Sequence, residues 1–257
     1  MSSSEFGRTF NECVFCGSGP TTSEHVFSGW AGRELAPPGL DPVRHTMTHA
    51  GKTVREWSAP GIDVQLMGPC ASCNSGWMSR LEKRAKRLII PMLDEKTCVL
   101  GPADQTTLAV WAITKLMMFQ LYHPAPVGVP TDHFKELYRD HTRPPGPNTM
   151  VWLSRYDPQD DAGRYYAAPL RRDQRSPTEG YIAVFNVGQV MFVGTSNSSP
   201  EPTVENPQHA LLRIWPTAKK TTVTWPPGNL CFDLRGFHGI VDSFMVDDVS
   251  PVTEAAA

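Results

Sequence analysis

Residues 70–77 read Cys70-Ala71-Ser72-Cys73-Asn74-Ser75-Gly76-Trp77, and residues 13–17 read Cys13-Val14-Phe15-Cys16-Gly17. Each stretch sets two cysteines at the gap that lets one tight turn present both sulfurs to a single ion. Four thiolates complete the tetrahedral shell zinc prefers, so the two pairs predict one closed, structural Zn2+ site on Cys13, Cys16, Cys70 and Cys73. A redox dithiol is the other chemistry open to such pairs. Residues 17–69 separate the pairs, so a substructure has to fold inside the loop that the ion closes.

Just downstream, residues 74–90 have helical spacing. Trp77, Met78, Leu81, Ala85 and Leu88 fall on one face, and Arg80, Lys83, Arg84 and Arg87 on the other with Lys86 nearby. Ser75 and Gly76 weaken the first turn, and Pro91 is expected to stop the helix. Between the pairs, residues 30–35 suit a short helix. His45-Thr46-Met47-Thr48-His49 and the Thr53–Trp57 stretch suit a β-hairpin about Gly51, and residues 62–67 a further strand. His45 and His49 would stand roughly 13 Å apart on a strand, too far to share an ion. They read as hairpin surface residues within reach of a substrate.

Farther out the pattern changes. A helix is expected over residues 104–122, with Asp104 as N-cap and Leu108, Trp111, Ala112, Lys115, Leu116 and Phe119 at helical intervals. It is apolar nearly all round, as a core helix would be. A shorter helix over 133–141 is closed by Arg143-Pro144-Pro145-Gly146-Pro147. Strands follow at 150–154, 165–168, 181–185, 190–193, 211–215 and 222–225, with a hairpin turn near Asn186-Val187-Gly188 and a tail expected to fray from 246. Trp111, Phe119, Trp152, Trp215 and Trp225 are expected in the core, and Cys98 and Cys231 as small buried hydrophobes. The chain is therefore α+β, with a zinc-binding part over residues 1–100 and an α+β part over 101–257. The second part carries no decodable motif and is left to select substrate, to make a homo-oligomer or to regulate.

Composition narrows the chemistry. With 257 residues the chain can bury a sizeable core, and no apolar run reaches the roughly 20 residues a membrane helix needs. The first residues lack the apolar stretch of a secretory signal, which makes the cytoplasm the expected address and metal binding the expected use of clustered cysteines. The formal net charge of −2 excludes a surface that grips nucleic acid everywhere, so any such contact has to be a local patch.

Glu24-His25 follows the first cysteine pair, and Asn74 follows the last cysteine directly. An acid beside a histidine, with an amide oxygen brought in at a helix start, can build a hard-cation site separate from the zinc. The order Cys13-x2-Cys16, Glu24-His25, Cys70-x2-Cys73-Asn74 resembles the ββα-metal fold of HNH endonucleases. It is closest to their four-cysteine variety, which includes phage Holliday-junction-resolving endonucleases. The longer pattern, with Glu24-His25-Val26, Asn74-x-Gly76-Trp77 and Arg143-Pro144-Pro145, is similar to a group of bacterial and phage HNH-type proteins of uncertain role.

The resemblance covers residues 10–90 and implies the following. Glu24 and Asn74 hold one divalent cation, Mg2+ or Mn2+, His25 is the general base, and the substrate is the phosphodiester backbone of DNA or RNA. Arg80, Lys83, Arg84, Lys86 and Arg87 would meet phosphates. The acid is Glu where the family more commonly has Asp, and Glu82 stands about two turns into the helix, where many members carry a histidine. The competing expectation is a non-catalytic zinc module that recognises nucleic acid or a protein partner.

Overall fold

The computed structural model describes residues 10–27, 29–35, 43–49, 52–59, 64–122, 129–158, 163–170, 180–197, 211–217, 221–228, 231–242 and 253–256. Strand β1 (Thr21–His25) leaves the first cysteine pair and is followed by helix α1 (Gly29–Leu35). The expected hairpin forms from β2 (Val43–His49) and β3 (Lys52–Ala59), before β4 (Gln65–Cys70) returns to lie antiparallel to β1. The side chains of His45 and His49 lie outside the described residues. The register Thr21↔Cys70, Glu24↔Leu66, His25↔Gln65 sets the start of β1 beside the second cysteine pair. It sets the end of β1 beside the start of β4.

The chain then passes without a loop into α2 (Ala71–Cys73), a π-helical turn (Asn74–Met78) and α3 (Ser79–Leu93). The irregular turn follows from Gly76, whose φ of −86° and ψ of −109° leave the helical region. Pro91 does not stop the helix, contrary to expectation. A proline in the last turn forfeits one backbone bond, and the turn is still closed by Asp94 N–H donating to the Ile90 carbonyl (3.1 Å). Ile89 and Met92, on either side of it, are fully buried.

After β5 (Cys98–Leu100) comes α4 (Pro102–Tyr122). Asp104 sits inside the first turn rather than at the N-cap: its Oδ2 accepts the Gly101 N–H at 3.0 Å, and Pro102 opens the helix. From Leu108 to Leu121 every α4 residue is buried, which is why the stretch carries almost no polar side chains. The next elements are α5 (Thr131–Arg139), β6 (Met150–Arg155), β7 (Gly163–Leu170), β8 (Gly180–Val187), β9 (Val190–Asn197), β10 (Leu212–Trp215) and β11 (Val223–Trp225). Helix α6 (Leu234–Asp242) and β12 (Thr253–Ala256) end the described chain. The tail from 246 was expected to fray, yet residues 253–256 form a strand; 243–252 lie outside the described residues.

Eight strands form one sheet in the order β10-β6-β9-β8-β7-β12-β2-β3, with antiparallel neighbours throughout. The β8–β9 hairpin turns through Gly188 and Gln189, where Gly188 supplies a φ of +53° that a side chain would strain. Along β8, Tyr181, Ala183, Phe185 and Val187 join the large core on the α4 side, while Ile182 and Val184 face the smaller core under α6. With both faces covered, alternation of residue type disappears and the strand is apolar but for the buried Asn186. Helix α4 lies close on the sheet: a Cβ on Gly194 would stand 2.4 Å from Leu116 Cδ1.

Helices and antiparallel sheets together make the fold α+β. The large core runs without a break from Cys13 to Trp225, so the two stretches divided at residue 100 share it. Trp111, Phe119, Trp152 and Trp225 are buried as expected, and Trp215 is half-buried against the same core. Cys98 is half-buried and Cys231 is exposed, so the expectation of a buried thiol fails for Cys231.

Candidate metal centre

The first cysteine turn is built by local bonds. Cys13 N–H donates to the Ser18 carbonyl (3.0 Å), Gly17 N–H to the Cys13 carbonyl (2.9 Å), and Gly17 takes a φ of +74° that permits so tight a return. Val14 N–H donates to the Gly68 carbonyl (3.1 Å), which pins this turn to the end of β4. The second pair straddles the β4–α2 junction, with Cys70 extended and Cys73 already helical. Their apolar neighbours lock the two turns together, Phe15 meeting Trp77 edge to face at 5.2 Å.

The four sulfurs lie within 4.8 Å of one another, with Cys13, Cys70 and Cys73 buried and Cys16 half-buried. A zinc–sulfur bond of about 2.3 Å gives a tetrahedron with edges of about 3.8 Å. Cys16 Sγ and Cys70 Sγ stand 3.6 Å apart, close to that edge and well beyond the roughly 2.05 Å of a disulfide. The donor set therefore fits a structural metal such as zinc.

Charge in the cluster is set by its surroundings. Burial pushes the Cys13 and Cys73 thiols up; the Trp77 indole beside Cys73 pulls the other way without prevailing. Trp77 Nε1 is buried and makes no hydrogen bond of good geometry. Burial also raises Cys70, but Ser72 Oγ at 3.1 Å, the Cys73 backbone and the neighbouring thiols outweigh it and bring Cys70 down to about 6. Without metal, Cys70 is thus a thiolate at neutral pH while Cys13 and Cys73 hold protons. Metal binding has to release at least those two protons, and its affinity should rise about tenfold per pH unit for each proton released. Competition against a chromophoric chelator between pH 6 and 8 should show zinc binding strengthening by at least about a hundredfold per unit. An affinity flat across that range would mean that these thiols are not ligands.

Asn74 is tied to β1. Its Nδ2 donates to the Ser23 carbonyl (3.0 Å) and to Thr22 Oγ1 (3.3 Å), and Thr22 in turn donates to the Pro69 carbonyl (3.1 Å). The amide oxygen, the atom a hard cation would take, is the lobe not engaged with Thr22 and Ser23. The β1–β4 register shifts between Thr21 and Ser23, so Asn74 is fastened to the strand at that irregularity, next to Glu24 in the chain. The half-buried His25 imidazole has its Nε2 3.8 Å from the point where a Gly29 Cβ would stand, and Arg33 Nη1 lies 3.7 Å from that point. A side chain begun at Gly29 would stand in ordinary van der Waals contact with the imidazole, which places the ring beside the start of α1.

Glu24 points to α4. Its Oε1 meets Lys115 Nζ at 3.4 Å, and the same ammonium lies 3.3 Å from Glu82 Oε2 and 3.2 Å from the His25 carbonyl oxygen. Glu82 also accepts the indole N–H groups of Trp111 (2.8 Å) and Trp30 (2.5 Å). Lys115 is 4% exposed at its side chain; burial pulls its pKa down, but Glu82 and then Glu24 outweigh burial and the net shift is upward. It is charged at neutral pH. In the sequence Lys115 falls at the helical interval of the core positions and carries no evident role. A single lysine in an otherwise apolar helix was the available signal, because a buried ammonium requires acidic partners.

On the outer side of α3, Arg80, Lys83, Arg84 and Arg87 are exposed. Lys86 instead turns to α1, 3.7 Å from Glu34 Oε1 and 5.8 Å from the centre of the Trp30 ring. Four of the five basic side chains thus face solvent on one helix. Among the described residues no helix is long and apolar enough to cross a membrane. Compared with known protein families, curated proteins and solved structures, the chain has no match.

Proposed function

We propose that this chain is a zinc-stapled ββα-metal (HNH-like) endonuclease that hydrolyses phosphodiester bonds of DNA or RNA with a divalent cation. The observation that carries this is the anchoring of Asn74 on β1, one and two residues before Glu24, in a strand–strand–helix unit clasped by four thiols. Glu24 and Asn74 would hold Mg2+ or Mn2+ by oxygen, and the ion would supply Lewis acidity at the scissile phosphate. His25, half-buried at the end of β1, would accept the proton of the attacking water. Arg80, Lys83, Arg84 and Arg87 would attract the backbone along α3, with Lys86 contributing at the margin of that face. Arg33, beside the imidazole, supplies a further positive group within reach of a bound phosphate.

A non-catalytic zinc module that binds nucleic acid or a protein draws on a different observation. Glu24 Oε1 is already met by an ammonium, so its charge is partly satisfied within the chain. Incubating the zinc-loaded protein with duplex, single-stranded and branched DNA and with RNA separates the two. Cleavage that requires added Mg2+ or Mn2+ is the expected result. Retention of nucleic acid without cleavage under every divalent metal would establish the module instead.

A further inference from the structure

Lys115 stands 91 residues from Glu24 and 33 from Glu82, if chain position is counted, yet its Nζ lies between their carboxylates at 3.4 and 3.3 Å. Three elements meet there: the end of β1, the first turn of α3, and α4. The ammonium is wrapped by protein, while Glu24 and Glu82 have side chains 14% and 24% exposed. Trp111, one helical turn before Lys115, and Trp30 saturate Glu82 with N–H donors, which fixes that carboxylate toward the ammonium. Lys115 also bonds the His25 carbonyl, so one side chain addresses both members of the acid-histidine pair. A core helix needs no lysine for packing, and its cost of burial is offset here by two acids and a carbonyl.

We propose that Lys115 is the resident cation of this site: its ammonium occupies the space beside Glu24 and opposes the binding of a divalent cation there. As a positioning residue, it lets α4, which belongs to the stretch without any recognisable motif, set the cation affinity of the β1–α3 unit. The proposal rests on the endonuclease reading for its importance, but not for its test. A divalent ion held by Glu24 has to sit within a few ångströms of the ammonium. At so short a range in a partly buried site, like charges repel strongly.

The test is a Mn2+ titration of the zinc-loaded full chain, read by the loss of the free-ion paramagnetic resonance signal. Lys115→Met removes the charge. Lys115→Gln also removes it while keeping an N–H donor for Glu24, and is measured alongside in case the methionine variant does not fold. Lys115→Arg keeps the charge. Mn2+ should bind the neutral variant at least about tenfold more tightly than wild type, and the arginine variant about as wild type. A packing role alone would alter thermal stability in all three without strengthening Mn2+ binding. Equal Mn2+ affinity in wild type and neutral variant, or no binding in any of them, overturns the proposal. Failure of the wild type to cleave nucleic acid would count against the endonuclease alone, since the titration does not involve cleavage.

Discussion

Cys73→Ser is expected to lower zinc affinity by well over a hundredfold and to loosen the β1–β4 pair. Losing a group that merely orients a metal ligand costs about 10–100-fold in affinity, and losing a ligand itself exceeds that. Cys73 is 2% exposed and sits at the junction between β4 and the π-helical turn, so its sulfur has little access to solvent. The serine hydroxyl is a poor zinc donor, and three remaining sulfurs leave an open shell. In small zinc modules the ion supplies about 10 kcal/mol or more of folding free energy. Here much of α3 is also held by the shared core, through Leu81, Ala85, Ile89 and Met92, so the loss should be local. Metal content by mass spectrometry should fall well below one zinc per chain. Amide exchange should accelerate in 13–27 and 64–78 while residues 180–197 keep their protection. A variant that retains a full zinc and wild-type exchange would remove Cys73 from the ligand set.

His25→Ala should reduce cleavage by about 10²–10⁴-fold, the usual contribution of a positioned general base. The imidazole is half-buried, so zinc content and thermal midpoint should stay close to wild type. The volume vacated by the ring should admit free imidazole, and partial restoration of cleavage by added imidazole would identify proton transfer as the missing step. Unchanged cleavage in this variant would exclude His25 as the base, whatever the fate of the zinc. Loss of cleavage together with loss of zinc would mean that the residue supports the fold instead.

Much of the local structure is written in short-range pattern. Cys-x2-Cys pairs can close on one ion because the two-residue gap fits a turn, and both turns form as that geometry requires. The β2–β3 hairpin and the strands after residue 149 also appear, with ends shifted by up to four residues. Pro91 and Asp104 depart from the pattern because a single residue type signals a helix end only when nothing else holds the turn. At Pro91 the buried Ile89 and Met92 hold it, and at Asp104 the reach back to Gly101 extends it.

The sequence by itself determined that four cysteines could come together as one metal-ligand set, that a helix with one basic face would follow the second pair, and that a long apolar helix would enter the core. Spacing decides these things, since backbone geometry converts it directly into sulfur positions and helix faces. Tertiary structure alone decided that Lys115 meets Glu24 and Glu82, and that Asn74 is fastened to β1. It also decided that β12 joins β2 and β3 to the sheet. Those contacts link residues tens to hundreds of positions apart. Their partners are selected by the packing of whole faces and by the need of a buried charge for its opposite, neither of which leaves a periodic trace along the chain.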